Sequence, residues 1–195
     1  MKNIFLTFDD GPNEPYTSQI LGILKKFNVK ASFFVCGKNV EYYPRIARKI
    51  VEDGHVIGNH TYSHSYIPAI LGLELGEIQK TDRIIFQVCG VRTRYVRLPW
   101  GHARPWLRRD LTTHGYKLFL WHVDARDWKR PDFHLLAKRI TQKSKPNSII
   151  LLHNGEKTRH GADRSQTVRA LPIILTNLKK EGYAFETIDI LGKKK

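Results

Sequence analysis

Alternation is the feature of this sequence that most limits its fold. Short apolar runs, rich in β-branched and aromatic residues, recur at Asn3–Phe8, Ala31–Cys36, His55–Gly58, Tyr95–Leu98, Lys117–His122, Ser148–Leu152 and Ala184–Ile188. Each has the composition of a buried parallel strand. Helical patterns lie between them, at Ser18–Phe27, Pro44–Asp53, Leu71–Val88, Pro105–His114, Asp132–Lys143 and Ser165–Glu181. In the first of these, Ile20, Leu21, Leu24 and Phe27 share one face, and Thr17 is placed to cap its start. Gly54, Gly90, Gly115 and Gly182 follow four of the helices, and Pro146 lies just beyond another. Strict alternation predicts a parallel sheet with crossover helices. It leaves open whether the sheet is doubly wound or a barrel.

Nothing divides the chain. It has 195 residues and no repeat, low-complexity segment or Pro/Ser-rich linker, so one domain over residues 1–195 is expected. Gly192-Lys193-Lys194-Lys195 reads as a frayed basic tail. No apolar run approaches the roughly 18 residues of a membrane span. Met1-Lys2-Asn3 leads through Ile4-Phe5-Leu6 straight into Thr7-Phe8-Asp9-Asp10, which is not a signal peptide. A cytoplasmic location is the expectation, with the cell wall or exterior as the alternative if an export signal has been removed. Cys36 and Cys89 form no CxxC pair or framework and are expected to stay reduced.

In parallel α/β folds, ligands bind at the C-terminal ends of the strands. Polar residues collect there in this chain. Asp9-Asp10-Gly11-Pro12 follows the first strand, and His60-Thr61-Tyr62-Ser63-His64 the third. Arg97-Leu98-Pro99-Trp100-Gly101 ends the fourth, Asp124-Ala125-Arg126-Asp127-Trp128 follows the fifth, and His153 closes the sixth. Each has a plain alternative. His60 and His64 could share a metal from one helical turn, or be two surface histidines. Asp9-Asp10 could be a turn, or a third ligand beside a base. His153 could be a half-buried strand residue, and Arg97 a partner for a buried acid. The pair His60/His64 lacks the Glu of HExxH. A two-carboxylate glycosidase using Asp9 and Asp127 would leave both histidines without a role.

Taken together, these five ordered segments resemble the polysaccharide deacetylase family, also called the NodB-homology domain. The resemblance runs from about Ile4 to Ile188, and Asp163-Arg164-Ser165-Gln166-Thr167 adds to it. It implies a distorted (β/α)7 barrel, an α/β fold of the TIM-like kind. It also implies a divalent metal, usually zinc, with cobalt or other ions accepted by some members. By position, Asp10, His60 and His64 would be the metal ligands and Asp9 the general base. Arg97 would pair with Asp9, and Asp127 would hold and tune His153, the general acid. Trp128 and Leu151 would line the acetyl pocket, and the backbone N–H at Trp100 would help bind the oxyanion. The expected activity is removal of N-acetyl groups from N-acetylglucosamine units of a chitooligosaccharide or peptidoglycan. A catalytically weak glycan-binding barrel and an O-acetyl esterase of the xylan type are the alternatives. Two positions depart from the family pattern. Trp100 stands where Tyr or Phe is usual, and Asn154 where Asp often follows the acid.

The charge is the last sequence feature. With 33 Lys+Arg against 18 Asp+Glu, the net charge is +15. Nucleic acid, an acidic glycan and a phosphate-rich surface would all suit it. No zinc-finger spacing, recognition-helix signature or RNP-like aromatic motif is present, so nucleic acid is not expected as a partner. His102, Arg104, Arg108 and Arg109 follow the third motif, Lys129 and Arg130 the fourth, and Lys157, Arg159, His160 and Arg164 the fifth. These loops are expected on or near the active rim, where the excess is either a solvated basic surface or a means of drawing the mouth toward an anionic cell-wall polymer.

Overall fold

The structure is a computed structural model that describes residues 2–192. Of the tail expected over residues 192–195, only Gly192 is described, at the end of the last helix, and residues 193–195 lie outside the described residues. In chain order the elements are β1 (Lys2–Gly11), α1 (Tyr16–Lys26), β2 (Ser32–Val35), α2 (Gly37–Tyr42), α3 (Pro44–Glu52) and β3 (Val56–Asn59). Then come α4 (Tyr66–Leu71), α5 (Glu74–Cys89), β4 (Tyr95–Val96), α6 (Pro105–Thr113), β5 (Lys117–Leu118) and β6 (Val123–Asp124). The chain closes with α7 (Phe133–Lys143), β7 (Ile149–His153), α8 (Ser165–Lys180), β8 (Tyr183–Glu186) and α9 (Asp189–Gly192).

The strands form one parallel sheet in the order β5-β4-β3-β2-β1-β7-β6, with β8 also paired to β1. It curls into the open, distorted (β/α)7 half-barrel. Period-two alternation along β1 separates two environments. Ile4, Leu6 and Phe8 join the main core with Ile20, Leu24, Ile174 and Leu178 of the flanking helices. Phe5 belongs to a second cluster with Phe34 and Ile149. Thr7 and Asp9, on that same face, meet the guanidinium of Arg97.

Four expectations need correction. The run Lys117–His122 is not one strand. Only Lys117–Leu118 form a strand, β5; the next, β6, begins beyond the run at Val123, and the two lie at opposite ends of the sheet. The reason is Arg97, whose Nε and Nη2 donate to the carbonyls of Phe119 (3.3 Å) and Leu120 (3.2 Å). Those carbonyls serve a buried cation rather than a ladder. Second, Thr17 does not cap α1, which starts at Tyr16. Its hydroxyl accepts the Asn13 N–H at 2.8 Å and the Asn154 side-chain amide at 3.0 Å. Third, the helix expected from Leu71 begins at Glu74, because Gly72 is left-handed (φ 73°) and ends the short helix α4. Finally, α2, α4 and α9 were not expected.

Both cysteines are free, Cys36 buried and Cys89 half-buried. Among the described residues no helix is long and apolar enough to cross a membrane.

Candidate active site

Two adjacent carboxylates on a strand should face opposite ways. A bulge overrides this in β1. Its register against β2 shifts between Asp9 and Gly11, and Asp10 takes a left-handed backbone (φ 73°). Bulges of this kind re-aim a side chain. Asp9 and Asp10 therefore line the same cavity, of about 430 Å³. Asp10 is fixed from behind. Its Oδ2 accepts the Lys157 N–H at 2.9 Å, and its carbonyl accepts the Asn39 amide at 2.6 Å. Gly155 packs so closely that a Cβ there would fall 2.3 Å from the Asp10 carbonyl oxygen.

His60 and His64 meet, though not on a helical turn. Their loop carries left-handed residues at Thr61 (φ 65°) and His64 (φ 51°). Neighbouring side chains supply what a helix would have supplied. Asn59 Oδ1 accepts the Thr61 N–H at 2.9 Å. Glu77 Oε2 accepts the N–H groups of Tyr62 (3.1 Å) and Ser63 (2.7 Å) and the Ser63 hydroxyl (2.8 Å). The result brings Nε2 of both histidines to 3.3 Å from Asp10 Oδ1. All three residues are buried, and their ligating atoms lie within 4.8 Å of one another.

This trio fits a divalent cation. His60 Nδ1 faces the Arg97 carbonyl at 2.7 Å, an oxygen that can only accept, so Nδ1 carries the proton. In the neutral ring that turns the Nε2 lone pair on Asp10. Burial pushes His64 down to about 4, which leaves it neutral near pH 7. Asp10 Oδ1 has no hydrogen-bond partner. One cation satisfies all three atoms, and two His with one carboxylate is an established donor set for zinc with an open coordination position.

Arg97 is fully buried and donates from Nη1 to Asp9 Oδ1 and Thr7 Oγ1, both at 2.8 Å. Across the sheet, β1 and β7 pair Asp9 with His153. Asp127 receives the His153 ring Nδ1 at Oδ1 and the His153 N–H at Oδ2, both at 2.7 Å, while Thr167 donates to Oδ2 at 2.9 Å. Burial alone would lower the imidazole's pKa, but the Asp127 charge and hydrogen bond lift it to about 9. Asp127 is held below its ordinary value by the same pairing, against the effect of its burial. Trp100, Trp121, Trp128 and Leu151 complete the cavity wall. Trp100 stacks on Tyr66 (3.6 Å, 5°) and stands edge-on to His64 (4.8 Å).

Sequence reasoning named ten site residues; eight of them line this cavity, and Arg97 and Asp127 are buried behind it, bonded to Asp9 and His153. It missed Glu77, Asn59, Thr7, Thr167 and Trp121. Thr7 lies two residues before Asp9 on the same strand and could have been noticed. Asn59 sits next to His60 and Thr167 within the Asp163–Thr167 segment, so both had a local signal, whereas Glu77 and Trp121 carried none. The departure at Asn154 is structural. Its side chain is fully buried and reaches Thr17. The basic loops are also corrected in part. Lys157 and Arg164 line the active cavity, but His102 and Arg104 line a second one. Arg108 and Arg109 lie exposed on α6. Arg164 is buried and bonded to the Gly155 carbonyl at 2.6 Å, so it is a strut rather than a free cation.

The sequence profile of polysaccharide deacetylases matches residues 1–119, which hold the first three motifs. A peptidoglycan-N-acetylglucosamine deacetylase of Bacillus cereus is 35% identical over 97% of this chain and 88% of its own length. The chain belongs to the polysaccharide deacetylase family. A chitooligosaccharide deacetylase of Azorhizobium caulinodans is 32% identical over 95% of this polysaccharide deacetylase and 92% of its own length. Among solved structures, a peptidoglycan N-acetylglucosamine deacetylase bound to a naphthyl N-oxidanyl-benzamide superposes with a TM-score of 0.91. It shares 35% identity, with coverage of 97% of this chain and 87% of that one. A CE4 family pseudoenzyme from Bacillus anthracis also superposes (TM-score 0.87, 32% identity), over 97% of this chain and 65% of its own. Fold alone therefore does not decide activity, and the side chains at the mouth must.

Proposed function

We propose that this polysaccharide deacetylase is a metal-dependent hydrolase that removes N-acetyl groups from N-acetylglucosamine units of a peptidoglycan or chitooligosaccharide, releasing acetate. One observation carries the reading. The buried trio Asp10, His60 and His64 lies beside a carboxylate and an imidazole brought together by the β1–β7 register.

Asp10, His60 and His64 would hold the ion; two imidazoles and a carboxylate suit zinc, with cobalt or another divalent ion as the alternative. When bound, such an ion polarises a carbonyl and lowers the pKa of water to roughly 7. Asp9, oriented by Arg97, accepts the proton of the attacking water. His153 donates a proton to the departing nitrogen, which is a poor leaving group until protonated. Asp127 keeps that imidazole charged and aimed. The backbone N–H at Trp100 is our candidate for a second donor to the developing oxyanion. Trp128 and Leu151 enclose the acetyl methyl and exclude water around it.

An imidazolium acid with a pKa near 9 suits an amine leaving group, which favours the amide over an acetyl ester of xylan. The pseudoenzyme neighbour supports a second reading, a glycan-binding barrel without turnover. The complete set of base, acid and ligand residues weighs against it.

The test is acetate release from a panel of chito-oligosaccharides, peptidoglycan and acetylxylan. Release from the first or second is expected, with loss on chelation and recovery on adding zinc. Glycan binding by zinc-loaded protein without acetate would establish the binding barrel instead. Release from acetylxylan alone would make the chain an esterase.

A further inference from the structure

A second cavity, of about 380 Å³, adjoins the first, and Trp100 lines both. It lies between the loop after β3, the start of α5 and the loop after β4. The mechanism makes no use of it. Two of its lining side chains are buried and unsatisfied. Glu74 is 7% exposed and Thr61 4%, and neither Glu74 Oε2 nor Thr61 Oγ1 has a hydrogen-bond partner. A buried acceptor without a donor carries a desolvation penalty of about 1–3 kcal/mol, more when charged. Buried groups of this kind call for a partner. Glu77 also lines the cavity, but its Oε2 is committed to the His60–His64 loop. Tyr66 and Trp100, their rings stacked on one another at 3.6 Å, also line the cavity and give its wall an aromatic part.

We propose that this cavity is a subsite for an amino-sugar unit, with its ammonium on Glu74 and its ring against the Tyr66–Trp100 wall. A buried carboxylate is best satisfied by a charged donor. A cation near an aromatic face gains further attraction. Metal ions and polyamines fit poorly. One free carboxylate oxygen and one hydroxyl make too few ligands for a metal, and Arg104 in the lining repels a multiply charged cation more strongly than a single ammonium. A single ammonium on a bulky, otherwise neutral body passes both tests. The amino sugar is chosen over other amines because the two cavities share a wall. One glycan chain can occupy both, and deacetylation in the first cavity leaves amines on that same chain. This step rests on the deacetylase reading. A partly deacetylated glycan would then bind with an amine-bearing unit in the second cavity and an acetylated unit in the first.

The test uses 15N-labelled, zinc-loaded protein titrated with glucosamine, N-acetylglucosamine and n-butylamine, followed by amide NMR. Glucosamine should shift the amides of Ser65, Glu74 and Ala103, with N-acetylglucosamine binding there about tenfold or more weakly. Glu74→Gln should weaken glucosamine by a similar factor. If that variant does not fold, the wild-type shift map decides. Shifts confined to Leu151 and His153 would overturn the subsite. Equal binding of n-butylamine, or undiminished binding by folded Glu74→Gln, would do the same. Acetate release tests the deacetylase reading separately. Glucosamine in this cavity without any acetate release leaves the subsite standing and removes only the proposed activity.

Discussion

Asp127 grips His153 at two points, its Oδ1 on the ring Nδ1 and its Oδ2 on the backbone N–H, each at 2.7 Å. A single-point contact would let the ring swing. Two points fix both the strand end and the tautomer, and direct Nε2 toward the cavity.

The same contact sets a pH limit. Burial opposes the charged ring, but Asp127 lifts its pKa to about 9. The acid form is full below that value and is lost as pH rises through it. kcat/KM for acetate release should therefore fall above about pH 9. In Asp127→Asn the charge is gone, so the alkaline limb moves down toward the ordinary histidine value of about 6.5. Turnover at neutral pH should drop about 100-fold. pH–rate profiles of both proteins check this, and an unmoved limb would remove His153 as the acid.

Asp9 and Asp10 are neighbours with separable roles. Asp9→Asn should retain about one equivalent of zinc, because the proposed ligands Asp10, His60 and His64 are untouched. Its acetate release should fall about 100- to 10,000-fold. Asp10→Asn should lose the metal as well. Metal content measured beside activity separates the two, and normal turnover by Asp9→Asn would end its assignment as base.

The strand–helix alternation was legible because buried parallel strands are continuously apolar and their helices end at glycine. Asp9, Asp10, His60, His64, Arg97, Asp127 and His153 were legible because ionisable residues collect at strand ends, whereas Trp100, Trp128 and Leu151 were named only through the family resemblance. What could not be read is how they come to face one another. Alternation would have separated Asp9 from Asp10, and only the bulge at Asp10 (φ 73°) joins them. Spacing placed His60 and His64 together by the wrong geometry, since a helical turn and a loop braced by Glu77 both bring positions four apart to one side. The break between β5 and β6 was hidden for a similar reason. Phe119, Leu120 and Trp121 are as apolar as any strand, and what bends them is Arg97, distant in sequence.

Glu77 yields a prediction of its own. It holds three donors of the loop that carries His60 and His64, yet it does not belong to the ligand trio. Glu77→Ala should keep the fold and lower zinc affinity about 10- to 100-fold, the range for groups that orient ligands. Competition against a chromophoric chelator measures this. Excess zinc should restore most of the activity. Unchanged affinity would mean that the loop supports itself.

Away from the site, His55 makes folding sensitive to acid. It is buried, and its Nδ1 accepts the Ala31 N–H at 3.1 Å, which requires that nitrogen to be unprotonated. Burial, reinforced by the charge of Lys30, pushes its pKa down to about 4. The unfolded chain's histidine titrates near 6.5. Between those values the unfolded state binds the extra proton, so its stabilising contribution is complete above about 6.5 and is lost as pH falls toward about 4. Asn at this position keeps an acceptor oxygen near the place of Nδ1 but cannot titrate. The stability of the wild type relative to His55→Asn should therefore decline as the buffer is taken from pH 7 to pH 5. Urea midpoints at several pH values give that difference directly. If the two proteins lose stability in parallel, the acid sensitivity arises elsewhere in the chain.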